Sequence, residues 1–167
     1  ADRTAAAAFR AFVEPLNKAV WCITNSTFSH DCHYPREGRE YWISLNPGNT
    51  VRVQSASDSH LRVEIGQRFR IVASEQERLS WTVLVTRYEF SISDDDEKEI
   101  VAYHFHPGEQ AFEVRTSNPF GRRDDPADLR AAHLPTGPIA AQDFILMAIR
   151  DFNVRPLRSD YLRVLAG

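Results

Sequence analysis

Two histidines separated by a single residue, His104 and His106, are the residues of this chain best suited to chemistry. The residues around them predict a strand, on which alternate side chains point to the same face. Their Cα atoms would lie roughly 6.6 Å apart, so both imidazoles would reach one phosphate group or one metal ion. Tyr103 and Phe105 would point to the opposite, buried face. We therefore expect an exposed imidazole pair on a sheet.

Residues suited to binding a phosphate follow toward the carboxyl end. His133 and Thr136 come just before a helix expected to begin near Pro138, and the free N–H groups at the amino end of a helix attract anions. Arg115 and Arg122 would add planar, bidentate donors. Arg122 also begins an Arg-Arg-Asp-Asp run, which is more typical of a self-neutralised surface loop than of a phosphate clamp.

Together these residues favour metal-independent cleavage of RNA. His104 and His106 would act as acid and base, because imidazole titrates near neutral pH. His133 would complete the catalytic set beside the phosphate, with Arg115 contacting the phosphate oxygens. The alternative is that the histidines only form hydrogen bonds within the sheet.

Zinc binding by His104, His106 and Cys32 is the second chemistry that the residue types allow, since imidazole and thiolate are both zinc ligands. The spacing between Cys32 and the two histidines matches no zinc finger or zinc ribbon. The first expectation is therefore a protein without a cofactor.

An amphipathic helix is predicted at the amino end to help position these residues. Apolar residues recur there at helical spacing: Phe9, Phe12, Val13, Leu16, Val20 and Ile23. Thr4 is suited to cap the start of this helix. Pro15 either kinks one long helix or begins a second one.

Strands are predicted through the middle of the chain. Alternation from Glu40, a turn at 46–49 and renewed alternation at Val51 and Val53 indicate a β-hairpin. Residues 61–71 place apolar side chains on one face and charged ones on the other, which is typical of a half-exposed antiparallel strand. Further strands are expected at 79–93, 99–106 and 111–115.

Helices return at the carboxyl end. Pro138 is expected in the first turn of one helix, which Pro156 ends, and Ser159 is expected to cap a last helix. The fold class is therefore α+β: an antiparallel meander sheet of five to seven strands, with an N-terminal helix and one or two C-terminal helices. Residues 1–167 are expected to form a single domain.

Composition excludes several classes of protein. The 167 residues carry a formal net charge of −3, whereas proteins that bind duplex nucleic acid by bulk electrostatics are usually basic. Cys22 and Cys32 are too few for a disulfide framework and fit a reducing compartment. No apolar stretch reaches the ~20 residues that span a bilayer, and no signal peptide is recognisable. We expect a soluble, cytoplasmic protein that does not contact a membrane.

Two segments resemble those of small bacterial proteins of toxin–antitoxin modules, of the kind called TumE-like. They are Tyr103-His104-Phe105-His106 and His133-Leu134-Pro135-Thr136-Gly137. The resemblance covers roughly residues 85–152, the C-terminal half. It implies a small α+β protein of a toxin–antitoxin or defence module, with RNA as a substrate for an endoribonuclease and a cognate protein as a partner.

Two functions of other classes compete with the ribonuclease. Exposed strand edges and the amphipathic first helix suit a non-enzymatic module that docks a partner chain. A small-molecule binder or metal-dependent hydrolase would instead use a curved sheet around a cavity lined by Trp42, Trp81, Tyr88 and Phe90.

Overall fold

The computed structural model describes residues 4–47, 49–56, 59–74, 80–106, 111–116, 133–135 and 138–166. For residues 106, 111–116 and 133–135 it describes the backbone alone.

The described part of the chain has the predicted α+β composition. Its helices are α1 (Ala5–Val20), α2 (Ala141–Asp151) and α3 (Tyr161–Leu165). Its strands are β1 (Ser29–His30), β2 (Glu40–Ser44), β3 (Val51–Gln54), β4 (His60–Ala73), β5 (Trp81–Ser93), β6 (Glu99–His106), β7 (Ala111–Thr116) and β8 (His133–Pro135). The strands form one antiparallel sheet in the order β1-β2-β4-β5-β6-β7-β8, with β3 paired to β4. The predicted meander is present, with very short strands at its two edges.

The first helix forms as one element. Thr4 caps it as predicted, because the Ala7 N–H donates to the Thr4 Oγ1 at 3.1 Å. α1 then continues through Pro15 to Val20, so the single-helix alternative is the observed one. Pro15 has no N–H to donate to the carbonyl of Ala11, one turn earlier.

The predicted hairpin around residues 46–49 is wrong. β2 and β3 both run antiparallel to β4, with Glu40 opposite Arg70 and Val51 opposite Val63. The two strands therefore follow one another along the same side of β4, and they are not paired with each other. Alternation and a turn signal indicate two strands but not their partner, and β4, with 14 residues, is long enough to pair with both.

The two faces of the sheet differ in character. We call the face covered by α1 and α2 the inner face, and on β4 it carries buried apolar residues: Val63, Ile65, Phe69 and Ile71. The opposite, outer face carries charged residues, and Glu40 accepts contacts from both Arg68 (3.5 Å) and Arg70 (3.8 Å) there. This division is the one that the alternation of residues 61–71 predicted.

Aromatic rings fasten the helices to the inner face. Phe9 of α1 stacks on Phe69, with ring centroids 5.6 Å apart. Phe144 of α2 packs against Phe90 and Tyr103 at 5.4 and 6.2 Å. Each fully buried aromatic side chain of this kind contributes roughly 3 kcal/mol through removal from water. These contacts fix α1 and α2 over the middle of the sheet.

The C-terminal helices begin later than predicted. α2 begins at Ala141, so Pro138 lies before the helix and not in its first turn. Ala140 is extended (ψ 153°), because the chain just before it is bonded to the sheet. The N-cap position of α3 is Asp160 and not Ser159. No helix within the described residues is long and apolar enough to cross a bilayer.

Candidate functional site

His104 occupies the middle of β6, but it is not the exposed imidazole that the sequence predicted. Only 8% of the residue is exposed. Its Nδ1 lies 3.7 Å from the Oε1 of Glu89, its cross-strand neighbour on β5. Tyr103 and Phe105 lie on the inner face against Phe144 and Tyr88, as predicted. His104 is therefore a buried outer-face histidine held beside a carboxylate.

The strand register brings other predicted residues near it. Arg115 on β7 lies opposite Ala102, and His133 on β8 lies opposite Arg115. Two strand spacings and two residues thus separate His104 from His133, about 12 Å between Cα atoms on a regular sheet. His106 ends β6 opposite Ala111, two residues farther along the strand and farther from His133.

The structure does not describe the two other residues that were predicted to contact a phosphate. Arg122 and Thr136 lie outside the residues that the structure describes. His133 belongs to a strand, and α2 begins only at Ala141. The expected placement of His133 directly before the amino end of a helix is therefore wrong.

Cys32 lies far from His104 and His106 in the sheet. It follows β1, and β2, β4 and β5 lie between that strand and β6. Cys32 is buried, and burial raises the pKa of its thiol to about 11, with Asp31 adding to the rise. Within the described ranges, no cluster of three His, Cys, Asp or Glu side chains is arranged to hold a metal ion.

The four aromatic residues expected to line one cavity do not share a position. Phe90 is fully buried in the core, and Trp81 packs at its margin. Tyr88 borders both the cavity on the inner face and a groove on the outer face, and Trp42 borders only the groove. Neither space is lined by all four of these residues.

The inner cavity lies between α1, the sheet and the segment that leads into α2. Its volume is about 520 Å³, within the range of small-molecule sites in proteins. Its described lining is mostly apolar and includes Phe12 and Leu16 from α1, Val85 from β5, Phe105 from β6 and Ile139. No charged residue lines it among the described residues. Such a space suits a neutral molecule.

Gln67 is the polar exception in the inner-face stripe of β4. It is 8% exposed, lies between Ile65 and Phe69 in the stripe, and lines the cavity. Its Oε1 is buried and makes no hydrogen bond to any residue that the structure describes. A buried amide oxygen without a partner costs about 1–3 kcal/mol. The cavity therefore contains an acceptor that lacks a donor.

Tyr88 supplies the second polar group. It lies directly opposite Gln67 in the sheet register. The Ile139 N–H donates to its Oη at 3.2 Å, which ties the segment before α2 to the sheet. Burial raises the pKa of the Tyr88 phenol, so it is neutral at physiological pH. Its ring stacks on Phe90, with centroids 4.7 Å apart, which holds the hydroxyl in place.

α1 adds a further acceptor to the same cavity. Ala11 and Pro15 both line it, and Pro15 cannot donate the hydrogen bond that the Ala11 carbonyl would receive in a regular helix. The polar lining thus combines these acceptors with the Tyr88 hydroxyl and the Gln142 amide, and the Gln67 Oε1 is the acceptor that lacks a described donor. A neutral, largely apolar molecule that donates hydrogen bonds fits this lining.

Gln67 was missed in the sequence, although a signal for it is present. Residues 61–71 alternate apolar and charged side chains, and Gln67 falls at an apolar position of that pattern. A polar residue in a buried stripe is more informative than an apolar one.

The fold and the cavity define the class of protein. It is an α+β protein in which helices cover one face of the sheet and a cavity the size of a small molecule lies beneath the first helix. No protein-family model, curated protein or solved structure matches the chain.

Proposed function

We propose that the protein binds a neutral, largely apolar small molecule in the inner cavity, with Gln67 accepting a hydrogen bond from it. The observation that carries this proposal is the buried Gln67 Oε1, which lines a cavity of about 520 Å³ and has no partner among the described residues. A ligand donor would supply the missing bond, and the apolar walls would supply most of the binding energy.

A matched pair of probes tests the need for a donor. 2-Naphthol is neutral, apolar and carries one hydroxyl, whereas 2-methoxynaphthalene has nearly the same shape and no donor. We expect 2-naphthol to bind about tenfold more tightly, the equivalent of one satisfied hydrogen bond. Titration followed by probe fluorescence measures both affinities.

Substitution of Gln67 ties the binding to this cavity. Gln67→Leu should remove the preference for 2-naphthol, because leucine offers no acceptor. Gln54→Leu, on the exposed side of β3, is the control and should leave both affinities unchanged. Equal affinity of the wild-type protein for the two probes, or no saturable binding, would contradict the proposal.

A second candidate function keeps the predicted acid–base chemistry on RNA, in a protein of a toxin–antitoxin or defence module. It is supported by the 3.7 Å approach of His104 to Glu89, a pairing that would orient an imidazole. It is also supported by the register, in which Arg115 lies on β7, beside β6, and His133 on β8, one strand farther along the sheet. The zinc alternative and the cognate protein partner stay predictions.

RNA cleavage separates this candidate from ligand binding. Under it, the protein cuts labelled single-stranded RNA in the presence of a metal chelator, and His104→Gln abolishes cleavage. His60→Gln, at the start of β4, should cut normally. Full activity of the His104 variant would exclude the acid–base role, and activity lost only with the chelator would favour zinc.

A further inference from the structure

A groove of about 330 Å³ crosses the outer face, on the opposite side of the sheet from the inner cavity. Its floor is Gly66 on β4, with Ser44 of β2 on one side and Glu89 of β5 on the other. A Cβ placed on Gly66 would meet nothing closer than the Glu89 carbonyl oxygen at 3.8 Å. The concavity thus exists because Gly66 has no side chain where its neighbours have one.

One end of this groove is positively charged. Arg68 and Arg87 lie directly opposite each other on β4 and β5, and like charges in that arrangement destabilise a sheet. Arg68 shares the Glu40 carboxylate with Arg70. Arg87 is exposed and has no ion-pair partner in the described part of the chain. An anion between the two guanidinium groups would relieve their repulsion.

The other end is negatively charged. Glu64 lies two residues before Gly66 on β4, and Glu89 lies beside Gly66 on β5. Glu64 is half-buried and forms no ion pair with a described residue. Burial raises the pKa of Glu64, and the carboxylates of Glu89 and Glu99 raise it further. Loss of water and the neighbouring negative charges both disfavour the ionised form of Glu64, and a cation bound here would stabilise that form again.

We propose that this groove binds a short peptide through its free termini, with the α-ammonium group at Glu64 and Glu89 and the terminal carboxylate at Arg68 and Arg87. Trp42, which lies beside Arg68 on β2, forms the apolar wall at the carboxylate end. A peptide satisfies both ends at once, whereas a simple anion or cation would meet repulsion from the opposite end.

The spacing of the charges sets the length of the peptide. Glu89 and Arg87 are two residues apart on one strand, roughly 6.6 Å, and Glu64 and Arg68 are four apart, roughly 13 Å. An extended peptide spans about 3.3–3.6 Å per residue, so two or three residues cover about 7–11 Å. Dipeptides and tripeptides therefore fit the groove, and a free amino acid is too short.

Trialanine with free termini is the probe that tests this proposal, with binding to the full chain measured by titration calorimetry. N-acetyl-trialanine and trialanine amide each lack one terminal charge and should bind at least about tenfold more weakly. Alanine should not bind measurably. Arg87→Gln and Glu64→Gln should each weaken trialanine binding by a similar factor.

Two controls locate the effect. Arg150→Gln removes an exposed charge from α2, on the other side of the sheet, and should bind trialanine like the wild type. Gln142→Ala changes a residue that lines the inner cavity but not the groove, and it should also leave trialanine binding intact, so that binding at the two sites is tested separately. Equal binding of the capped peptides, unchanged affinity of folded Arg87→Gln, or no trialanine binding at millimolar concentration would overturn the proposal.

Discussion

Gln67 on β4 lies opposite Tyr88 on β5, and both residues line a mostly apolar cavity beneath α1. The phenol is bonded to the chain before α2, but the Gln67 Oε1 has no described partner. Because buried polar groups are nearly always bonded, such a group marks either instability or a ligand. These two explanations of the unbonded Gln67 oxygen predict different effects of a Gln67 substitution on stability and on ligand binding.

Replacing Gln67 with leucine should stabilise the protein without ligand. The free energy of unfolding is expected to rise by about 1 kcal/mol, because the unsatisfied amide oxygen is removed and a side chain of similar size replaces it. Urea unfolding followed by circular dichroism measures the change. Gln54→Leu, exposed on β3, should change stability by less than about 0.5 kcal/mol.

A loss of stability on Gln67→Leu would show that the amide makes an interaction that leucine cannot replace. In that case the cavity would lack its unsatisfied acceptor, and the argument for a hydrogen-bonding ligand would fail.

Anchoring of α2 depends on one aromatic residue. Phe144 is fully buried between Phe90 and Tyr103, so Phe144→Ala should cost about 3–5 kcal/mol of unfolding free energy. Leu84→Ala is the matched truncation at a side chain that is 53% exposed, and it should cost less than about 0.5 kcal/mol. Thermal or urea unfolding compares the two, and similar losses would contradict the observed packing.

The sheet could be predicted from the sequence where side-chain alternation decides it. The stripe of β4 was identified because the inner and outer faces differ so clearly in polarity between Leu61 and Ile71. The pairing of β2 and β3 could not be identified in the same way, since alternation reports which face is buried but not which strand is the neighbour. Turn residues at 46–49 suit a connection between two strands on the same side of β4 as well as a hairpin.

The candidate site was less predictable because it depends on contacts between distant strands. The sequence predicts an exposed His104 because histidine is polar, yet packing around β6 leaves the residue only 8% exposed. A glycine within a strand is unusual, but the role of Gly66 as the floor of the groove depends on Ser44 and Glu89 beside it. Only the register of three strands brings these residues together.

Alkaline pH should destabilise the protein through Cys32. Burial and then Asp31 raise the pKa of this thiol from 9.0 to about 11, so the unfolded chain loses the proton first as the pH rises. The contribution of Cys32 is fully present below pH 9 and is lost between pH 9 and about 11. Cys32→Ala should reduce this loss, and Ser29→Ala, exposed on β1, should not. Urea midpoints across that range measure it, and equal slopes for both variants would contradict the assignment.

Acid should destabilise the same edge of the sheet through His30. Its ring packs edge-on against Phe9 of α1 at 4.7 Å, and burial, followed by repulsion from His33, lowers the pKa of His30 below its ordinary 6.5. The unfolded chain then binds a proton more readily than the folded one, so stability falls as the pH drops below about 6.5 and levels off below the folded pKa. His30→Phe keeps an aromatic contact to α1 and cannot titrate, so its stability between pH 7 and 5 should fall less than that of the wild type. His60→Gln, which removes a histidine at the start of β4, is the matched control and should retain the wild-type slope. If His30→Phe keeps that slope as well, the acid sensitivity arises elsewhere, and the buried contact between β1 and α1 is not its source.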